Sequence, residues 1–294
     1  MSNSFVQRFL FDKLPIRGAF VILEDTWQTI ASQKIYPDGV QRLLGELLAA
    51  NVLITTTLKL KGKITAQIQD NPKLDLIVSE CDNEFFVRAT AKYDRSSAQD
   101  EQIQYKDCLA VGNLVISIDS KNDGKLYQSV VGLSKLNLDE LLGEYMMQSE
   151  QLRTMFIIAY SATKTVGFML QQLPDNNHYA NDIERVFALA NSLTKTELSA
   201  CDVSSLLHKL FNADDILLYD PDTVLFRCTC GRERVSSMLR SLGKVEADAI
   251  ILQYGSIKVT CDYCNSTYIF DADDVLNIFS SLDIDMENIS HEIH

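Results

Sequence analysis

The spacing of apolar residues changes period several times along the chain, and each change predicts an element. Residues 19–31, "AFVILEDTWQTIA", alternate and predict a strand. The next segment, "YPDGVQRLLGELLAANVLITTTLKLKG", carries Val40, Leu43, Leu44, Leu47 and Leu48 at helical spacing, with Pro37 and Asp38 at its start and Lys61-Gly62 at its end. Period-two segments follow. "KITAQIQD" places Ile64, Ala66 and Ile68 on one face, and "KLDLIVSE" does so with Leu74, Leu76 and Val78. "EFFVRATAKY" is a third, rich in aromatic and β-branched residues. Residues 112–133 read as a hairpin turning at Asn122, Asp123 and Gly124. A sheet of this size with a long helix against it predicts an α+β fold.

Asn137 and Glu140 have capping-box spacing ahead of a helix whose apolar face is Leu138, Leu141, Leu142, Tyr145 and Leu152. "RTMFIIAYS" and "TVGFMLQQL" predict two more strands, ending at Pro174, and "PDNNHY" has the composition of a boundary. Beyond residue 180 the pattern becomes short helices: Val186, Ala190 and Leu193, then Val203, Leu206, Leu207 and Leu210, with Asp202 as N-cap of the second set. Helices this short are marginal alone and are expected to lie on the sheet domain. From Asp220 onward a compact final module is expected, with one helix, a hairpin across Gly255 and an acidic closing stretch. Residues 265–294 hold seven acidic residues and no Lys or Arg, which predicts a solvated helix and tail. The expected division is a core domain over 1–176, a helical linker over 177–226 and a small metal-binding module over 227–294.

Composition narrows the chemistry. Of 294 residues, 46% are apolar and 23% charged, the profile of a soluble globular protein. A net charge of −13 argues against broad binding to nucleic acid or anionic membrane. The amino-terminal residues lack the apolar core of a secretory signal, and no apolar run reaches membrane-spanning length. A cytoplasmic location, where thiols stay reduced, is the expectation. No glycine-rich phosphate loop or serine-hydrolase elbow is present. His178 and His208 stand alone, and His291 and His294 lie in the acidic tail, so the pattern does not predict an enzyme.

Seven cysteines are present. Cys81, Cys108 and Cys201 are isolated and read as small apolar side chains. The other four form two pairs, "RCTCGRERV" with Cys228 and Cys230, and "CDYCN" with Cys261 and Cys264. Two closely spaced pairs on two loops can supply the closed thiolate tetrahedron of structural Zn2+, leaving no open position for catalysis. A module of this size has a thin core, so loss of zinc is expected to unfold it. A Cys-x-Cys disulfide needs a small strained ring, unlike two sulfurs on one ion, so oxidised and metal-bound forms exclude each other. Four cysteines permit three pairings, of which the adjacent one is the most local. A purely structural site, a redox switch and a nucleic-acid-binding ribbon all remain open on the spacing. Residues 227–258 hold six Lys/Arg against three Asp/Glu, while the acid downstream opposes a basic face.

"FRCTCGRERV" and "VTCDYCNSTYIFDADDV" resemble the carboxy-terminal zinc module of the heat-shock protein 33 family, the redox-regulated 33 kDa chaperonins. "LLGELLAANVLITTTLKLKGKITAQIQ", "GNLVISID", "GEYMMQSEQL", "GFMLQQLP" and "LHKLFNADDILLYD" follow in the family's order, so the resemblance spans nearly the whole chain. "QDNPKL", "YQSVVGL" and Gly231 depart from the family's usual residues without touching the cysteines. The resemblance implies an ATP-independent holdase that protects unfolding proteins under oxidative stress. It implies one Zn2+ held by Cys228, Cys230, Cys261 and Cys264 in an inactive reduced form. Oxidation would form Cys228–Cys230 and Cys261–Cys264 disulfides, the latter pair sensing peroxide first, then release zinc, loosen the linker and favour a homodimer. The apolar faces of the linker helices, Val186, Phe187, Leu206, Leu207, Leu210 and Phe211, would then be the client-binding surface. The alternative is a structural zinc ribbon that binds nucleic acid or protein.

Overall fold

The chain opens with an antiparallel pair, β1 (Phe5–Phe11) and β2 (Ile16–Leu23). In this computed structural model residues 3–58, 61–93, 103–120, 124–133, 137–174 and 178–280 are described. The strand expected over 19–31 stops at Leu23, because α1 (Asp25–Ala31) begins there. Ser4 Oγ accepts the backbone N–H groups of Glu24 and Thr26, and Trp27 and Ile30, one helical turn apart, are buried. Only the first half of this stretch is strand, and its burial does not alternate.

The long helix is α2 (Asp38–Thr55). It is apolar nearly all round and buried along most of its length, as a helix packed on more than one side must be. It ends earlier than expected, in a run of threonines. The hydroxyls of Thr56 and Thr57 donate to the carbonyls of Leu53 and Ile54, among the groups that a helix end leaves short of intrahelical partners, and the Thr55 hydroxyl donates back to Asn51 O.

A meander follows: β3 (Gly62–Gln69), β4 (Leu76–Asp82) and β5 (Phe86–Lys92). After α3 (Tyr105–Ala110), β6 (Asn113–Ser120) and β7 (Leu126–Gly132) complete the hairpin. Gly124 takes a left-handed φ of 64° at its turn, while Asn122 and Asp123 lie outside the described residues. The expected face of β4 is wrong by one residue. Ile64, Ala66 and Ile68 stand opposite Cys81, Ser79 and Ile77, so Ile77 and Cys81 enter the core. Leu76 is half-buried and Val78 points away from that core; Leu74 reaches it from the turn before the strand. A short apolar run reads equally well in either register until its partner strand is known.

In α4 (Leu138–Glu150) the Asn137 side chain accepts the Glu140 N–H, as its spacing predicts. The apolar face closes with Met146 rather than Leu152, because Gln151 turns left-handed, at φ 56°, and ends the helix. β8 (Thr154–Tyr160) and β9 (Thr165–Gln172) follow. The short helices are α5 (Ala180–Asn191), α6 (Lys195–Ala200) and α7 (Val203–Phe211). Asp202 accepts the Ser205 N–H and caps α7, and Thr194 with Glu197 forms a capping box on α6. Of the boundary segment ahead of them, 175–177 lie outside the described residues.

Residues 220–227, expected to open the final module, belong instead to the large unit. β10 (Ile216–Leu218) and β11 (Asp222–Thr223) both pair with β1, and β12 (Leu225–Phe226) runs parallel to β5. Val224 is wholly buried in the main core, and Arg227 ion-pairs with Asp82 at 2.6 Å. The chain separates into two units after Arg227.

The large unit is layered. One sheet runs β10-β1-β2-β9-β8 and the other β12-β5-β4-β3-β6-β7. α2 packs on strands of both, sharing one core with Val21, Met169, Ile64, Ile77 and Leu114. Gly167 on β9 permits the close approach, since a Cβ there would lie 2.9 Å from Leu53 Cδ1. The opposite face of the first sheet carries Phe9, Phe11, Phe20 and Phe168, which α5–α7 cover. Burial on both faces explains why β2 and β9 read as continuous apolar runs.

The small unit begins at Cys228. It has two helices where one was expected, α8 (Arg232–Leu242) and α9 (Lys244–Tyr254), divided at Gly243 with φ 99°. Gly255, expected as a hairpin turn, is the left-handed C-cap of α9. The hairpin is β13 (Ile257–Thr260) with β14 (Thr267–Phe270), and its turn is the second cysteine pair itself. A helix over 272–280 adds Val275 and Ile278 to a small core with Val235, Leu239, Ala247, Ile257 and Phe270. Residues 281–294, with His291 and His294, lie outside the described residues.

Candidate metal centre

Two backbone devices bring the four cysteines together. In the first pair Cys228 and Cys230 are half-buried, and Thr229 between them is exposed, where its hydroxyl accepts from Arg234 at 2.8 Å. Gly231 then starts α8. In the second, the strand register closes with Cys261 N–H donating to Ser266 O, and Asn265 N–H donates back to Cys261 O, both at 2.9 Å. Asn265 is left-handed, φ 55°, a conformation that asparagine tolerates better than most residues. That turn folds Cys264 back beside Cys261.

The four Sγ atoms all lie within 4.8 Å of one another. The short separations run between the pairs: Cys228 to Cys261 at 3.6 Å and Cys230 to Cys264 at 3.3 Å. Sulfurs about 2.3 Å from a shared tetrahedral ion stand about 3.8 Å apart, close to what the chain sets up. The donor set therefore fits one thiophilic metal ion. Among the described residues this is the one group of three or more His, Cys, Asp or Glu placed to hold a metal.

Without metal the four thiols are unequal. Burial pushes Cys228 up to about 12. At Cys264 burial also opposes ionisation, but hydrogen bonding by the Ser266 hydroxyl and backbone outweighs it and brings the thiol down to about 6. The Tyr268 hydroxyl donates to Cys230 Sγ at 3.1 Å. Cys81 and Cys108 are buried, and burial raises both to about 12, so they are inert by comparison. Cys201 is half-buried at the end of α6.

The basic residues near the cluster are committed to the fold. Arg232 ion-pairs with Asp274 at 2.6 Å, donates to Ile269 O and lies over the Phe270 ring. Lys244 pairs with Asp248, and Arg240 donates to Ile278 O. Sequence reasoning missed Tyr268 and Ser266. Only the strand register around the second pair shows which hydroxyls reach sulfur.

The second group of interest is the seam between α5–α7 and the first sheet. Val186, Phe187, Leu206, Leu207, Leu210 and Phe211 are all buried there, none more than 8% exposed. Phe211 meets Phe11 edge-on at 5.2 Å between centroids. Arg153 pairs with Glu184 and covers the Phe187 ring, while Arg185 holds Asp214 at 2.6 Å.

Beside this seam one carboxyl is buried at a cost. Lys195 on α6 pairs with Asp139 on α4 at 2.7 Å, but Asp139 Oδ1 is buried with no hydrogen-bond partner among the described residues. Burial raises the Asp139 carboxyl to about 6; Lys195 opposes the rise and the buried Glu46 adds to it. A folded-state pKa above the unfolded value of about 3.9 means that the native state holds the proton more tightly. The associated stability is present below about pH 4 and lost as pH rises through 6. Asp139→Asn is therefore expected to stabilise the large unit at pH 7.5 by about 1–2 kcal/mol, less than the full shift because the pair with Lys195 weakens. The gain disappears at pH 4. Urea midpoints at the two pH values measure it, and destabilisation at pH 7.5 contradicts it.

Among the described residues no helix is long and apolar enough to cross a membrane. The profile of the family described as "Hsp33 protein" matches residues 4–271. A 33 kDa chaperonin from Shewanella loihica is 37% identical over 281 residues, covering 96% of this chain and 97% of that protein. One from Neisseria meningitidis serogroup A is 38% identical over 272 residues, covering 92% and 90%. The crystal structure of the 33 kDa chaperonin from Thermotoga maritima superposes with a TM-score of 0.81 at 20% identity, covering 96% of this chain and 99% of that one. With a profile match through both cysteine pairs and relatives aligned nearly end to end, the chain belongs to the Hsp33 family of chaperones.

Proposed function

We propose that this protein is a cytoplasmic, ATP-independent holdase switched on by oxidation. The observation that carries the reading is the four-sulfur cluster at the start of a unit with a seven-residue core, directly after the segment that covers an aromatic sheet face. In the reduced form Cys228, Cys230, Cys261 and Cys264 hold one Zn2+, which ties the two loops together and supplies most of the small unit's folding free energy.

Peroxide then converts the cluster to Cys228–Cys230 and Cys261–Cys264 disulfides. Forming each disulfide removes two electrons from two thiolates; one hydrogen peroxide accepts them with two protons and leaves as two waters. The sulfurs stop being ligands, the ion departs, and the small unit loses its staple. The reading continues through the linker, 177–226. Its helices are short, its docking includes the unfavourably buried Asp139, and its strands β11 and β12 are two residues each. Once loosened, it exposes Val186, Phe187, Leu206, Leu207, Leu210 and Phe211 to unfolding client proteins, and two such chains associate as a homodimer.

The test is paired. Zinc release and thiol loss are followed after peroxide with mild warming, alongside suppression of a model client's aggregation. The expected result is release of one zinc per chain, loss of four thiols and onset of suppression together. Equal suppression before and after oxidation removes the switch. Salt-dependent binding of nucleic acid with no holdase activity replaces it with a zinc-ribbon binding module.

A further inference from the structure

The sulfurs that meet across the two loops are held by different neighbours, and Tyr268 stands out among them. It lies on β14, opposite Val259 in the hairpin register, with its ring packed against the small core. Its hydroxyl reaches from that strand to the first cysteine pair, donating to Cys230 Sγ at 3.1 Å. Just before that strand, Ser266 Oγ lies 3.3 Å from Cys264 Sγ, within the second loop. Tyr268 is thus a side chain of the strand leaving one cysteine loop that directly touches a sulfur of the other.

A hydrogen bond from a neutral donor draws charge from a thiolate sulfur. Four thiolates around a divalent ion leave a formal charge of −2, and such a donor disperses it without adding a cation. It also fixes the sulfur's direction and lowers its nucleophilicity toward an oxidant. The donor depends on the β13–β14 pairing, whose turn is the Cys261–Cys264 loop.

Resting on the zinc and disulfide assignments above, we propose that Tyr268 is a positioning residue that holds Cys230 as a protected ligand until the second loop has reacted. When Cys261 and Cys264 pass two electrons to the first peroxide and bond to each other, the turn that carries β14 is rebuilt. Cys230 then loses its donor, and Cys228 and Cys230 become available to the second peroxide. Tyr268 in this way makes the second oxidation conditional on the first.

Tyr268→Phe keeps the ring and removes only the hydroxyl. In the full-length zinc-loaded protein, the variant is expected to release zinc to a chromogenic chelator about tenfold faster without any oxidant. After sub-stoichiometric peroxide, alkylation and mass spectrometry should find the Cys228–Cys230 disulfide appearing together with Cys261–Cys264 instead of after it. Val259→Ala weakens the same hairpin while keeping the hydroxyl, and should leave the wild-type order intact. Wild-type zinc release and wild-type order in Tyr268→Phe overturn the proposal, as does an equal loss of order in Val259→Ala, which would make the effect one of packing. If the wild-type protein binds no zinc, or keeps it after full oxidation, the assignments beneath the proposal fail and the proposal falls with them.

Discussion

Replacing both Cys261 and Cys264 with serine is expected to abolish stoichiometric zinc binding, to unfold residues 228–280 and to loosen the linker 177–226, while the sheets built from β1–β9 stay folded. The core of the small unit is Val235, Leu239, Ala247, Ile257, Phe270, Val275 and Ile278, with partly buried neighbours. So few apolar side chains cannot offset the chain entropy of a segment this long. Structural zinc contributes about 10–16 kcal/mol in small peptides at neutral pH, more than any other single interaction available here. The chain divides into two units after Arg227, so the small unit can melt while the two sheets of the large one persist. Amide exchange resolves the halves, and a chromogenic chelator counts the metal. Tight stoichiometric zinc in the double variant would show that the ligands lie elsewhere.

The second large effect is expected at the seam. Leu206 is wholly buried between α7 and the aromatic face of the first sheet. Leu206→Ala removes buried methyl groups and leaves a cavity, a change that costs about 2–5 kcal/mol in a packed core. α5, α6 and α7 are too short to persist without that packing. The variant should therefore suppress client aggregation in the reduced, zinc-bound state, with faster amide exchange over 180–211. Faster exchange without suppression would mean that these side chains are core residues and do not bind clients. Leu206→Ala acts at the seam and leaves the cysteines untouched, so it separates seam stability from cysteine chemistry.

Much of this was legible in the chain because it depends on local spacing. Helical periodicity over 40–48 located α2, and the Asp202 and Asn137 caps were found where their spacing put them. Extended backbone alternates its side chains, so Cys-x-Cys turns both sulfurs the same way, and Cys-x-x-Cys closes a turn; both are short-range geometry. The resemblance to the Hsp33 family rested on the same contiguous motifs.

Errors arose where a distant partner decided the outcome. The face of β4 follows from its register with β3, and the place of 220–227 from pairing with β1 and β5, more than a hundred residues away. Only tertiary structure could bury Asp139 beside Lys195 and Glu46, because those charges come from helices far apart in sequence. The same holds for Tyr268. The sequence by itself determined which residues could form a four-thiolate site. Folding decided which hydroxyl reaches a sulfur, because hydrogen bonds depend on ångström distances that strand register, not spacing along the chain, sets.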